Sequence, residues 1–472
     1  MQRALANDRI IAGSLWRGML RFFIPIMLGT LLQQLYNMAD TVIVSYFVGK
    51  EALAAVGGSA AMIVNLLVNF FVALASGASV IVSQHYGAGR KEQVRTGIQT
   101  ALVLAVICGA LMTVLGIVFA RPLLEALNTK AGDTMRYSVD YLTYYFLGMI
   151  PSMIYNMGSS IIRSMGDARR PLQFLAVSTA ANVVLDLLFV VGFQMEVAGA
   201  AIATTISQVI SASLVLRSMF RLPEDIRPNL RRPKLSREML KRMLQIGLPS
   251  GFQSAMYNIA NLLVQTAVNS MDTDVVAGWA AFRKIDDIYW PISSAIGITV
   301  MTFVGQNYGA QRHQRVKKTI ATGLKMHLFI TCLFSLAMCL LREPLIGLFA
   351  KGDSAVLQAG MTVILYTAPF YLTFGCTEIF AATMRAVGNA VKPTIITMCC
   401  VCLLRVVYLW VYGFAHVSIF TVAIIFPVSW AVSSLVFLAY YLSRRWMPPL
   451  MRHQWEERKR LVVHHPHHPH HR

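Results

Sequence analysis

A chain of 472 residues that is 56% hydrophobic and only 14% charged, with a mean hydropathy of +0.56, is built for lipid, and this excludes a soluble enzyme. A net charge of +20 would point to nucleic acid in a soluble protein. Here the basic residues gather in short segments between apolar runs, which points to a membrane surface and to no nucleic-acid partner.

A helix needs roughly 20 apolar residues to cross about 30 Å of hydrocarbon. Runs of that kind recur at 17–47, 52–84, 94–120, 135–162, 170–193, 198–219, 240–270, 275–306, 316–341, 355–384, 391–413 and 417–442, giving twelve predicted spans. Backbone groups in lipid must be satisfied within the element, so runs this long and apolar are helices. The predicted class is an all-α integral membrane protein.

The first span follows a basic, partly polar stretch (Arg3, Arg9) without a small-residue cleavage site, so it reads as retained. Lys and Arg also crowd the 2–3 loop (Arg90, Lys91, Arg95), the 4–5 loop (Arg163, Arg169, Arg170), the central link and the 8–9 loop (Arg312, Arg315, Lys317, Lys318). The alternate loops are short or charge-balanced, which predicts that both termini and the link are cytoplasmic.

The link, 221–236, carries Pro223, Pro228 and Pro233 among arginines and Lys234, a density of proline that blocks a continuous helix. It separates an N-lobe, 1–220, from a C-lobe, 237–443, and a tail, 444–472, ends in histidines and prolines from His464 to Arg472. That tail reads as disordered rather than as a metal site. The seven cysteines all lie in apolar spans, and Cys399, Cys400 and Cys402 cannot all face one ion from one helix, so they read as packing residues.

The two lobes are copies. His85-Tyr-Gly-Ala-Gly-Arg90 recurs as Asn307-Tyr-Gly-Ala-Gln-Arg312, and Arg163-x-x-Gly-Asp-Ala-x-x-Pro171 recurs as Arg385-x-x-Gly-Asn-Ala-x-x-Pro393, each pair 222 residues apart. Tyr36-Asn37 recurs as Tyr257-Asn258 with a slip of one residue. Six helices per copy put both copies in the membrane in the same sense, as parallel repeats about an axis along the membrane normal, a plan used by secondary transporters.

Ionisable groups inside spans carry the functional information, since each costs roughly 2.5–3.5 kcal/mol at the helix centre. Asp40 lies in the first span and Asp186 in the fifth, with Asn182 one helical turn before Asp186 on the same face. Gln33, Tyr36 and Asn37 share or border the Asp40 face, and Thr204 in the sixth span could add a hydroxyl. Two carboxylates with amide and hydroxyl oxygens suit either a small hard cation or a shared proton. The alternative is that both acids merely sit at the membrane edge.

In the second copy Asn261 stands for Asp40, and Leu404 and Tyr408 stand for Asn182 and Asp186. New acids arise instead, Glu378 where the first copy has Asn156 and Asp287 where it has Asn65, with Asp286 beside it. Asp286 and Asp287 either serve a cavity or pair with Arg283 or Lys284. Pro25 gives the first span a place to bend. There is no G-x-x-x-x-G-K-[ST] run, so no built-in ATP site, and no converging nucleophile, base or metal set, so no enzyme. His327 stands alone in the ninth span.

Pro25, Gln33-x-x-Tyr36-x-x-x-Asp40, the two Gln-x-Tyr-Gly-Ala loops, the doubled Arg-x-x-Gly-(Asp/Asn)-Ala-x-x-Pro motif and Asn182-x-x-x-Asp186 together resemble the multidrug and toxic compound extrusion (MATE) family, over about residues 15–443. The resemblance implies two six-helix lobes forming a V, and export of organic cations in exchange for H⁺ or Na⁺, without a cofactor. It implies a cation site of Asp40, Asn182, Asp186 and Thr204, with Gln33, Tyr36 and Asn156 nearby, and no metal beyond a Na⁺ there. The chain is similar to the prokaryotic branch, which implies a monomer among the lipids of an inner membrane. A flippase of lipid-linked precursors in the same superfamily is the nearest rival and would need basic residues in its cavity, Arg405 being the candidate. A major-facilitator carrier would carry a different 2–3 loop motif, and a channel has no need of two acid-bearing lobes.

Removing the chain from His453 onward should leave efflux unchanged. A truncated protein that inserts normally but no longer exports would show that the histidines serve transport.

Overall fold

The computed structural model describes residues 10–452 apart from 128, 130, 230, 232, 351 and 450; the histidine tract and the first arginines lie outside them. Every regular element among the described residues is helical. The N-lobe spans are Leu15–Phe47; Lys50–Gly57 continued by Ser59–Gly87; Lys91–Ala126; Asp133–Leu147 continued by Met149–Ser164; Arg169–Asp186 extended by the wide π turns Leu187–Gly192; and Glu196–Phe220. The C-lobe repeats the order with Arg237–Asn269; Thr273–Gly309; His313–Leu340; Ser354–Thr367 continued by Tyr371–Ala386; Val391–Thr397, carried on through π turns to Leu404–Tyr408 and Leu409–Gly413; and Ile419–Leu442. A short helix, Arg342–Ala350, lies between the ninth and tenth spans and has no counterpart among the predicted elements.

Ten of these elements are long and apolar enough to cross a membrane. The fourth and seventh spans miss that measure because they carry polar residues toward the interior: Ser152, Tyr155 and Asn156 in the fourth, and Gln253, Ser254, Tyr257 and Asn261 in the seventh, all face one cleft. The fold resolves the shortfall, since a span can be polar where it faces protein or a cavity rather than lipid.

One core cluster runs through both lobes, joining Ala78, Val80, Ile81, Ala101 and Ala105 of the N-lobe to Ala295, Ile296, Val300 and Val304 of the C-lobe. A second cluster, within the C-lobe, is rich in aromatic rings, where Tyr289 stacks on Tyr371 with centroids 4.2 Å apart and Trp290 and Trp430 close over them.

The lobes meet where the second span crosses the seventh and eighth. Glycine decides how close they come. A Cβ on Gly77 would lie 2.1 Å from the Met243 carbonyl oxygen, and one on Gly247 would lie 2.9 Å from the Leu74 backbone. At the helix ends the contact obeys the repeat: a Cβ on Gly87 would strike the Gln306 carbonyl, and one on Gly309 the Gln84 carbonyl. Gln84 Nε2 donates to the Ala386 carbonyl at 2.7 Å, and its copy Gln306 donates to the Ser164 carbonyl at 2.7 Å. Beyond Phe70, which packs edge-on against Phe252, the helices part, and Leu66, Met62, Ile259 and Leu262 are exposed.

Three peripheral segments brace this closed end. The start of the chain reaches across to the C-lobe, where Arg315 Nε and Arg312 donate to the Ile10 and Ile11 carbonyls at 3.0 Å each. The link is strapped to the third span, with Gln99 Nε2 donating to the Asn229 carbonyl at 2.9 Å and Lys91 and Lys234 paired with Asp225 and Glu92. Those ion pairs are exposed and contribute less than about 1 kcal/mol each. After the last span Trp446, Met447 and Met451 are buried, and Trp446 stacks on Tyr441, so the described residues between 444 and 452 belong to the packed body.

Substituting Gly77 by Val should drive the second and seventh spans apart at a cost on the order of 1–3 kcal/mol. A lowered melting temperature in detergent, set against an unchanged value for Gly347→Ala, whose added Cβ meets nothing within 4 Å, checks it.

Candidate functional site

Where the lobes part they enclose a cleft of about 720 Å³, a size ordinary for small-molecule sites. Its two walls differ in kind. The N-lobe wall, which includes Gln33, Tyr36, Asn37, Asn65, Asn69 and Asn156, holds amides and hydroxyls and no charged side chain. The C-lobe wall holds every charge that lines the cleft, Arg283, Asp287, Glu378, Arg385 and Arg405, together with Trp290, Phe374, Phe426 and Trp430.

Behind the neutral wall lies the cluster predicted from the sequence. Asp40 is 6% exposed, Thr204 3%, and Asn182 and Asp186 are wholly buried. Thr204 Oγ1 donates to Asp40 Oδ2 at 3.4 Å, and the carboxyls of Asp40 and Asp186 face each other. The first, fifth and sixth spans supply these residues. The α-helix of the fifth span ends at Asp186 and passes directly into π turns, a departure that often marks functional positions.

Six buried polar atoms here have no hydrogen-bond partner: Asp40 Oδ1, both carboxyl oxygens of Asp186, both amide atoms of Asn182 and the Tyr36 hydroxyl. Each such atom costs about 1–3 kcal/mol, and folds rarely gather several in one place without a ligand to satisfy them. Two facing carboxyls in an apolar interior cannot both carry a bare charge. The donor set, all oxygen apart from one amide nitrogen, therefore fits a proton or a hard monovalent cation, and no group of three metal-ligating side chains exists among the described residues.

Tyr36 joins the two compartments, since its ring lines the cleft while its hydroxyl lies in the cluster. Tyr141 and Tyr145, stacked 5.6 Å apart on the fourth span, stand beside Asp40. Sequence reading missed both; their one-turn spacing in the least apolar span of the N-lobe was the available signal.

The remaining candidates divide. Gln33, Asn37, Asn156, Asp287 and Glu378 line the cleft. Asp286 does not: it accepts from Arg283 at 2.7 Å, from Trp290 Nε1 at 3.0 Å and from the Tyr371 hydroxyl, and so it holds the aromatic core together. Arg283 also reaches Asp287, 3.3 Å away. Asn261, the copy of Asp40, accepts from Arg405 at 3.2 Å. Pro25 is buried inside an unbroken helix. His327 is not isolated, for its ring nitrogens bond Ser293 at 3.1 Å and Thr331 at 3.2 Å.

Two repeated helical lobes around a central cleft, with a carboxyl cluster behind one wall, define a membrane transporter and not an enzyme. The chain belongs to the MatE family, whose model matches residues 25–188 and again 249–411, once in each lobe. It is 26% identical over 449 residues to the probable multidrug resistance protein YoeA of Bacillus subtilis, covering 93% of this chain and 96% of that one. It is also 26% identical to the FAD transporter of Shewanella oneidensis, over 83% and 86% of the two chains. Among solved structures, an outward-facing multidrug resistance MATE family transporter of the MOP superfamily superposes with a TM-score of 0.86 over 93% of this chain and 97% of that one. At 22% identity that likeness establishes the fold, twelve helices in two lobes.

Replacing Asp40 or Asp186 by Asn keeps shape and removes charge. Each single variant should fold normally and lose at least about tenfold in gradient-driven ethidium efflux, and the double variant should be little worse, because residues of one cluster are not additive. Initial rates in everted vesicles check this; wild-type rates in either single variant would remove the cluster from transport.

Proposed function

We propose that the protein is a secondary active multidrug exporter of a prokaryotic inner membrane, moving amphipathic aromatic compounds, chiefly organic cations, outward in exchange for inward H⁺ or Na⁺. The observation that carries this reading is the buried Asp40–Asp186 cluster, which shares Tyr36 with the wall of the cleft. The names of the relatives span multidrug resistance and FAD transport, so the cargo class rests on the cleft's own residues. Glu378 and Asp287 offer negative charge and Trp290, Phe374 and Trp430 offer ring faces, the two features that hold a flat cation.

The closed end carries the basic 2–3, 4–5 and 8–9 loops, and by the positive-inside rule that end is cytoplasmic. Both termini then lie in the cytoplasm and the cleft faces outward. The working unit is a monomer surrounded by lipid, with no cofactor. In the exchange cycle the outward-facing form takes up the ion at Asp40 and Asp186, the first span repacks, cargo is released, and the lobes reverse. An ion shifts that equilibrium only by its differential affinity for the two forms.

The presence of Arg405 in the cleft favours a second reading, the precursor flippase. A pyrophosphate headgroup carries at least two charges, however, and Arg283 is already held by Asp286 and Asp287. Export of small amphiphiles is the better match.

Efflux from vesicles under a pH gradient alone and a sodium gradient alone identifies the ion. Spin labels at Arg90 and Lys318, on the 2–3 and 8–9 loops, with exposed Cys332 and Cys399 replaced by Ser, should change separation with pH or Na⁺. The change should vanish in Asp40→Asn. An equal response in the mutant would move the switch to Glu378 or Asp287.

A further inference from the structure

Three arginines line the C-lobe wall, and two of them face carboxylates. Arg283 is paired with Asp286 at 2.7 Å and with Asp287 at 3.3 Å, and Arg385 stands in the field of Glu378 two turns before it on the same helix. Arg405 differs. It is 3% exposed and forms no ion pair among the described residues; Asp286, the carboxylate whose field reaches it, is already paired with Arg283. Its Nε donates to Ser429 Oγ at 3.0 Å, a terminal nitrogen donates to Asn261 Oδ1 at 3.2 Å, and its plane lies 4.4 Å over the Phe426 ring. These partners are all neutral. They fix the orientation of the guanidinium without cancelling its charge, and arginine does not shed its proton in a protein.

The repeat explains how the charge was left unmatched. Asn261 occupies the position of Asp40, so the carboxylate that could have neutralised Arg405 is an amide in this lobe. The eleventh span also widens into π turns at Met398–Leu403, immediately before Arg405, whereas the fifth span is regular α-helix throughout Arg169–Asp186. A π turn adds a residue to the helix and re-aims the side chains after it, and Arg405 lies in the cleft wall beside Tyr257, Phe426 and Trp430. A buried cation with no ion-pair partner of its own is unfavourable, and the cleft is the direction from which such a partner can come.

We propose that Arg405 is an anion subsite of the cleft, and that the favoured cargo is an aromatic amphiphile bearing one carboxylate together with a cationic group. The carboxylate oxygens accept from the guanidinium, the ring system lies among Trp290, Phe374 and Trp430, and the cationic end turns toward Glu378 or Asp287. One unmatched guanidinium suits one negative charge, in the planar geometry that arginine offers a carboxylate. The inference rests on the reading of this cleft as the cargo site and narrows its substrate class from organic cations to zwitterions.

Rhodamine 110 and its methyl ester, rhodamine 123, differ only in whether that carboxylate is free. Fluorescence anisotropy with the purified full-length protein should give rhodamine 110 the lower Kd by about tenfold or more. Arg405→Met should erase the preference by weakening rhodamine 110 while leaving rhodamine 123 within twofold, and Arg405→Lys should keep part of it. Equal Kd values for the two dyes on the unaltered protein, or an equal loss of both in Arg405→Met, would overturn the proposal. Should Arg405→Met fail to fold, displacement of rhodamine 123 from the unaltered protein by 2-naphthoate but not by 2-naphthamide decides the same point, and equal displacement overturns it. Binding is read without any ion gradient. A protein that prefers rhodamine 110 yet moves neither dye under a pH or sodium gradient refutes the exporter reading alone, whereas one that exports rhodamine 123 without preferring the free acid refutes the anion subsite alone.

Discussion

The Gln84–Gln306 cross-contact sets the geometry on which everything else depends. Each glutamine sits near the end of its helix, and each reaches into the other lobe to bond a carbonyl at the end of the span bearing the Arg-x-x-Gly motif, Ala386 in one case and Ser164 in the other. Carbonyls at helix C-termini lack intrahelical partners, so these amides satisfy groups that would otherwise be buried and unpaired. The arrangement needs the backbones to touch, and Gly87 and Gly309 permit that by meeting the opposite glutamine's own carbonyl where any side chain would collide. Because the contact is two-fold, it pins both lobes at one end with equal hold. The cleft is the consequence, since helices joined at one end and inclined to each other must separate at the other.

Inside that symmetric frame the interiors have diverged. The first copy keeps its acids behind a neutral wall, and the second exposes its charges in the wall itself. Placing acids behind Tyr36 keeps them out of direct competition with whatever enters the cleft. It also puts Gln33, Tyr36, Asn37 and Asp40 on one helix, so the first span is at once a wall of the cleft and a wall of the cluster. A group bound at the cluster would touch the same helix that walls the cleft.

Much of this was legible in the sequence, for identifiable reasons. The doubled loop motifs exposed the repeat because close helix contacts tolerate only glycine and a glutamine of fixed reach. Asp40, Asn182, Asp186 and Thr204 stood out because polar groups are costly in lipid, and the fold does gather them from three spans. What stayed hidden depended on orientation. Asp286 and Asp287 are adjacent in the chain yet point to different surroundings, one into an aromatic core and one into the cleft. Tyr141 and Tyr145 read as ordinary aromatics until the fourth span is placed beside the first. Asn261 and Arg405 are 144 residues apart and carry no shared motif, so only the packing of the seventh span on the eleventh reveals that they bond.

The hydrogen bond between Asn261 and Arg405 shows how a duplicated frame can change its chemistry at small cost. Turning an aspartate into an asparagine removes a charge but keeps an acceptor oxygen at the same place, and the guanidinium still finds a partner for its geometry. The neighbouring hydroxyl of Ser429 and the face of Phe426 complete its support without neutralising it. The N-lobe does the reverse, with two carboxyls supported by a single hydroxyl bond and, among the described residues, by no paired cation. Each lobe therefore keeps a buried ionisable group without an ion-pair partner among the described residues, a carboxyl pair in one and a guanidinium in the other.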